Sequence, residues 1–235
     1  MLAQKSIRDS SISLVVLDIS YRGYFPAGDM TERFGFTSVM GVDLSYKLSS
    51  NYYLSGGFHF LFADSVDMSG ILDPLLTPGG FLVTDNGLLS DVRTLGSGFV
   101  VPISVGKIFP IIKAHNSNSG LFVEIGGQFL QHKLVIQPRE DEVAGLEGEY
   151  IKGYDRLTNG IGIREGIGYR YFASNGMVNF AIGLDMSQNF TQSRRSVDFS
   201  TGLSDSRQRL DLLFGIRASW TFPLYKRAPN KAYYN

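Results

Sequence analysis

The feature that most constrains this chain is a two-residue alternation of apolar and polar side chains that returns in eight separate stretches. Such alternation marks a strand with one apolar and one polar face. Val15, Leu17, Ile19 and Tyr21 alternate with Val16, Asp18, Ser20 and Arg22, and Met40, Val42, Leu44 and Tyr46 alternate with Gly41, Asp43, Ser45 and Lys47. Leu54, Phe58, Phe60 and Phe62 share one face, and Phe99, Val101, Ile103 and Val105 share the next. Then Leu121, Val123 and Ile125 oppose Glu124 and Gln128, and Ile161, Ile163 and Ile167 oppose Arg164 and Arg170. Phe180, Ile182 and Leu184 oppose Asp185, and Phe214, Ile216, Ala218 and Trp220 oppose Asp211, Arg217 and Ser219. Each stretch runs for about 9–13 residues, the length at which a tilted strand crosses a bilayer.

The connections alternate as well. Those at 49–51, 110–119 and 173–176 are short or modest, and those near 23–35, 65–96, 137–159 and 188–207 are long. Short periplasmic turns and long external loops are the habit of outer-membrane barrels. The pattern predicts an all-β fold: an eight-stranded antiparallel transmembrane β-barrel with four long extracellular loops, in a bacterial outer membrane. The strands are expected within about 12–222 of one domain spanning 1–235, with both termini periplasmic and a tail over 223–235. No run of about 18 apolar residues exists, which excludes a transmembrane helix. The start, Met1-Leu2-Ala3-Gln4, has neither the basic nor the apolar region of a secretion signal, so the signal of an exported chain is expected to precede this numbering.

Alternation alone leaves a soluble, lipocalin-like barrel open, with the apolar face inside. Three features favour the membrane. The apolar face is uninterrupted in most strands. Aromatics fall at its ends, with Tyr46, Tyr52, Phe109, Tyr171, Trp220 and Phe222 at one and Tyr21, Phe36, Phe62, Phe99 and Phe190 at the other, as in interfacial girdles. The opposite face carries charges of both signs at mid-strand: Asp18, Asp43, Glu124, Arg164, Asp185, Asp211 and Arg217. A narrow lumen can hold these as a paired network, in which Arg217 is expected to meet Asp18 or Asp43. Two residues conflict with the scheme. Pro102 removes a ladder N–H inside a strand and calls for a bulge or a late strand start. Glu165 falls on the lipid-facing parity, so either a bulge turns it inward or a protein partner covers it.

The stretch Gly215-Ile216-Arg217-Ala218-Ser219-Trp220-Thr221-Phe222 is similar to the C-terminal signal of outer-membrane barrels, although about thirteen residues follow it here. Ala27-Gly28-Asp29-Met30-Thr31-Glu32-Arg33-Phe34-Gly35, Lys152-Gly153-Tyr154-Asp155-Arg156-Leu157-Thr158-Asn159-Gly160 and Leu224-Tyr225-Lys226-Arg227-Ala228-Pro229 resemble segments of a Bacteroidota outer-membrane β-barrel family of unsettled function. The resemblance implies location and architecture and brings no catalytic residues. Small barrels of that phylum often serve larger machines for protein export, barrel assembly or nutrient uptake, which implies a partner-bound role by analogy.

Little else carries chemistry. The chain has no cysteine, and its 22 basic residues balance its 22 acidic ones, against a nucleic-acid binder. His59, His115 and His132 form no obvious pair, so no metal or cofactor is expected. Gly160, Gly162, Gly166 and Gly168 lack phosphate-loop spacing and read as small lumen residues. No compact His-Ser-Asp grouping is visible, so no enzyme is expected. Arg194, Arg195, Arg207 and Arg209 could grip lipopolysaccharide phosphates, with a plain solvated loop the commoner reading. Asp64-Ser65-Val66 looks like a short O-glycosylation motif. The loop over 65–96, with Leu75, Leu76 and Phe81, is too apolar to stand free and is expected either to cap the barrel mouth or to dock on a partner. Candidate partner contacts are therefore Glu165, Leu75, Leu76, Phe81 and, in the tail, Lys226 and Arg227. The expected function is a non-enzymatic accessory subunit that meets outer-membrane lipid, lipopolysaccharide and other envelope proteins. The alternatives are a stand-alone barrel that binds or modifies envelope lipid, and a small pore.

Overall fold

A computed structural model describes residues 11–111, 117–139, 142–173 and 178–224. His115, Lys226, Arg227 and the rest of the tail beyond Leu224 lie outside them. The strands are β1 (Leu14–Gly28), β2 (Thr37–Lys47), β3 (Tyr52–Ala63), a small loop hairpin β4 (Leu82–Val83) and β5 (Leu89–Ser90), then β6 (Val92–Phe109), β7 (Gly120–Pro138), β8 (Thr158–Phe172), β9 (Asn179–Ser193) and β10 (Gln208–Leu224). The eight long strands close into a barrel in the order β1-β10-β9-β8-β7-β6-β3-β2. Each pairs antiparallel with its neighbours, and the seam runs from Val15↔Leu224 to Gly28↔Asp211. Closure leaves no sheet edge, which lets strands cross hydrocarbon with their backbone paired.

The strands are longer than the alternation predicts; β6 has 18 residues and β7 has 19. Their excess lies toward the long loops, where the outward positions of β7 become Gln131, Lys133 and Gln137, with Val135 the one apolar residue among them. An apolar outer face no longer marks the strand there, because the sheet has left the apolar belt.

The faces are inverted relative to a soluble barrel. Ile103 and Ile216, on the outer wall, are 61% and 57% exposed, whereas Asp18 and Arg22, inside, are 2% and 1% exposed. A continuous apolar wall around a charged interior suits hydrocarbon and not water. Among the described residues no helix is long and apolar enough to cross a membrane. At the turn end Trp220 stacks on Phe222 at 6.0 Å, and Lys107 Nζ lies 4.4 Å from the Tyr52 ring centroid, a girdle of aromatic and basic groups. Aromatics are not confined to the two ends. Phe58 contacts Phe60 and Phe99, and Phe99 contacts Phe129, a stripe across β3, β6 and β7.

The two conflicting residues are accommodated without bulges. The β3–β6 ladder lapses at Gly57 and Phe58, opposite Pro102 and Val101, and resumes in the same register at His59↔Val100. On its other side Pro102 stays in register with Gln128. The missing N–H therefore costs one interruption and no shift. Glu165 pairs with Ile125 and Met186 in unbroken registers on both sides. It is not turned inward; its side chain stays on the outer wall, half-exposed.

If this wall faces lipid, Ile103→Arg should destabilise the barrel by about 2–4 kcal/mol when placed near mid-bilayer. Reversible urea unfolding from lipid vesicles measures this, and an unchanged midpoint would contradict the assignment of faces.

Candidate functional site: the charged lumen and its cap

The inward positions of the strands converge on a network at mid-barrel. Arg22 on β1 joins two carboxylates, with Nε 2.9 Å from Asp185 Oδ2 and Nη2 3.0 Å from Asp43 Oδ2. Arg217 on β10 sets Nη1 2.7 Å from Glu124 Oε1 and Nε 3.6 Å from Asp185 Oδ1. Arg164 on β8 lies between these acids, at 3.3 Å from Glu124 and 3.4 Å from Asp185. Tyr53 donates its hydroxyl to Glu124 Oε2 at 2.7 Å, and the Arg217 guanidinium lies 4.8 Å from the Phe122 ring centroid. Space for that ring comes from two glycines: a Cβ on Gly168 or Gly183 would stand 2.7 or 3.0 Å from it. One layer toward the turn end, Arg170 pairs with Asp18 at 2.9 Å, and Asp18 also accepts from Thr221 at 2.6 Å.

Arg217 thus meets Glu124 and Asp185, not Asp18 or Asp43. β1 and β10 are neighbours, but their register sets Asp18 opposite Thr221 and not Arg217. Directly opposite Arg217 in the seam lies Arg22, a like charge, and both guanidiniums reach across the lumen instead. Arg22, Arg170 and Tyr53 belong to the cluster although their inward parity had not singled them out. Four arginines face Asp18, Asp43, Glu124 and Asp185, so the charge of these two layers balances.

Both ends of this layer are closed. At the turn end Val16, Tyr53, Ile108, Phe122 and Phe172 form an apolar cluster. Below it the buried Lys47 donates to Ser11 Oγ, Ile12 O and Asn118 Oδ1 at 3.1, 3.1 and 2.9 Å. Toward the loops, Gln128 donates to Asn189 at 2.7 Å, and Asp211 lies 3.1 Å from His132 Nε2 while accepting from Thr191 at 2.6 Å. His59 likewise sits 3.0 Å from Asp43. Two of the histidines are therefore carboxylate partners in the lumen and not isolated polar residues. His132, Asp211 and Thr191 do not make a nucleophile relay, since both His and Thr address the carboxylate and neither addresses the other. Among the described residues no group of three or more acidic or histidine side chains could hold a metal.

The loop between β3 and β6 folds onto its own barrel. Ile71, Leu72 and Leu82 are buried with Met30 and Phe34 of the β1–β2 loop and Val143, Leu146 and Tyr154 of the β7–β8 loop, over Leu130 and Leu134. Leu75 and Leu76 pack against this core, while Phe81, Val83, Leu88 and Leu89 remain exposed. Phe34 sets its ring edge-on to His132 at 5.1 Å, joining cap to lumen. Ser65 is exposed beside the bridge Phe34↔Val66. The rim arginines brace the loops: Arg195 pairs with Asp155, Arg156 with Asp198, Arg207 with Asp29 and Glu32, and Arg209 with Asp205. Arg194 donates to Asn159.

No family model matches this chain, and no curated protein matches it. Solved structures do show a likeness. Neisserial surface protein A matches at TM-score 0.47 and 8% identity, over 89% of this chain and 97% of that one. Ail of Yersinia pestis, solved with the heparin analogue sucrose octasulfate, matches at 0.42 and 12%, over 90% and 99%. The outer membrane protein OprG of Pseudomonas aeruginosa matches at 0.37 and 8%, over 92% and 99%. No residue role is carried across from them.

Arg217→Met should destabilise the barrel by about 3–5 kcal/mol, because it leaves buried carboxylates short of a cation. Adding Glu124→Gln should recover much of that loss. Unfolding midpoints of the two variants test this; a double variant no more stable than Arg217→Met would show that charge balance does not hold the lumen together.

Proposed function

We propose that this chain is a non-enzymatic, non-conducting barrel of the bacterial outer membrane that works as an accessory or structural subunit of a larger membrane assembly, as the Bacteroidota resemblance implies. The observation that carries the reading is Glu165. Its strand runs in register on both sides, so a carboxylate stands on the apolar wall between Ile163 and Ile167 with no bulge to remove it. Facing acyl chains alone it is destabilising in either protonation state, and a protein neighbour that donates a hydrogen bond offsets this. Gln188, exposed on β9 next to the Met186 that opposes Glu165, widens the polar spot.

The sealed lumen supports a non-conducting role. The long-loop end is read as extracellular and the turn end as periplasmic. On that reading the cap presents Phe81, Val83, Leu88 and Leu89 to the outside, and Lys226 and Arg227 are proposed as periplasmic contacts. Leu75 and Leu76 brace the cap from below and contact a partner less directly. Outer-membrane lipid and lipopolysaccharide surround the remaining wall.

A photo-crosslinking residue in place of Glu165, with gentle extraction and mass measurement, tests the subunit reading. A discrete adduct to another membrane protein is expected, with none from a crosslinker at Ile216. A strictly monomeric species of 26.0 kDa plus detergent, without adduct, would overturn it.

A further inference from the structure

Over the barrel mouth, β4 and β5 form a hairpin only two residue pairs long. Leu82 and Ser90 oppose each other and are fully buried, Leu82 as part of the loop core. Strand alternation turns the next pair, Val83 and Leu89, the other way. Both face water, with Phe81 two residues before Val83 and Leu88 beside Leu89; Leu88 and Leu89 are 54% and 59% exposed. One face of the hairpin thus rests on the core, and the other is an apolar face without a partner in the chain.

The rim of this face is acidic. Asp85, in the hairpin turn, donates its backbone N–H to the carbonyl of Glu142 at 3.1 Å, so Glu142 in the β7–β8 loop lies against the turn. Glu147 belongs to the same group: desolvation, and then the charges of Glu142 and Asp85, push its carboxyl up. The cations next to these acids in sequence are taken, Arg139 by Asp91 and Lys152 by Glu149. Among the described residues neither Glu142 nor Glu147 forms an ion pair. An apolar centre with an acidic rim fits a segment that carries apolar side chains and positive charge. The same charge opposes other occupants of the outer face. A second copy related by a two-fold axis would set these acids against themselves, and the phosphates of lipopolysaccharide are anionic too.

We propose that the outer face of this hairpin is a docking site for a cationic, amphipathic polypeptide segment of another envelope protein. Val83, Leu88 and Leu89 are its apolar contacts, and Asp85, Glu142 and Glu147 its charged ones. The proposal deepens the subunit reading by naming the chemistry of one partner. It rests on that reading for the outward direction of the cap and does not involve the wall at Glu165.

The test is a fluorescence-anisotropy titration of a labelled amphipathic Leu/Lys peptide with the whole chain in phosphatidylcholine nanodiscs, referred to empty nanodiscs. The Leu/Lys peptide should bind the chain saturably and above the empty discs, and a Leu/Glu peptide of the same length should not. Added salt should weaken the binding. Glu142→Lys combined with Glu147→Lys should weaken it by about tenfold or more, and so should Leu88→Ser combined with Leu89→Ser. All four residues are exposed, so the fold survives both changes. Glu165→Gln should leave the titration unchanged. A chain that gives no crosslinked adduct at Glu165 yet binds the peptide keeps the cap site and loses the wall contact, so the two readings fail separately. No binding above empty nanodiscs, equal binding of the two peptides, or binding that either double variant leaves unchanged would overturn the proposal.

Discussion

Glu124, Asp185 and Asp43 face Arg217, Arg164 and Arg22 across a lumen too narrow to hydrate six charges. An eight-stranded barrel has an interior that side chains fill, and in a membrane the apolar residues are needed on the outside. The inside therefore has to be polar, and polar groups cut off from water must satisfy one another. The strand registers meet that requirement by bringing opposite charges from β1, β2, β7, β8, β9 and β10 to one level. The glycines beside Phe122, together with the sharing of Glu124 and Asp185 among several arginines, follow from the same shortage of space.

The mouth continues the division of labour. Where the loops carry Ile71, Leu72, Leu82, Met30 and Phe34, they bury an apolar core above His132 and close the barrel from the loop side. Where they carry arginines, they are braced by ion pairs with Asp155, Asp198, Asp205 and Asp29. Long loops with a core of their own have less conformational freedom to lose when they meet a partner or ligand. The molecule is a barrel whose loops carry an apolar core of their own over the mouth and whose apolar wall is interrupted at Glu165.

Much of this was legible in the sequence because a strand's two faces are written in alternation. The parity that puts Ile19 outward and Asp18 inward holds in the structure, and Glu165 keeps its outward parity in unbroken registers. What alternation could not supply is distance across the lumen. Asp18 and Arg217 sit on adjacent strands, yet Asp18 pairs with Arg170 from across the barrel, because contacts inside a tilted barrel join strands far apart in the ring. His132 looks isolated for the same reason, since its partner Asp211 is 79 residues away, whereas His59 meets Asp43 on the neighbouring strand. The cap was half legible. The apolar content of the loop showed that it must be covered, while only the packing of Ile71 and Leu82 showed that its own barrel does much of the covering. Pro102 brings neither the bulge nor the late strand start that its missing N–H suggests, because the β7 side of the strand holds the register.

The central claim is that charge balance and the loop-built core seal the barrel. Single-channel recording of the purified, refolded chain in planar bilayers tests it most directly. The account predicts insertion without discrete steps at any moderate voltage. Steady steps on the nanosiemens scale would mean a continuous water path past Arg22, Glu124 and Arg217, and would contradict it.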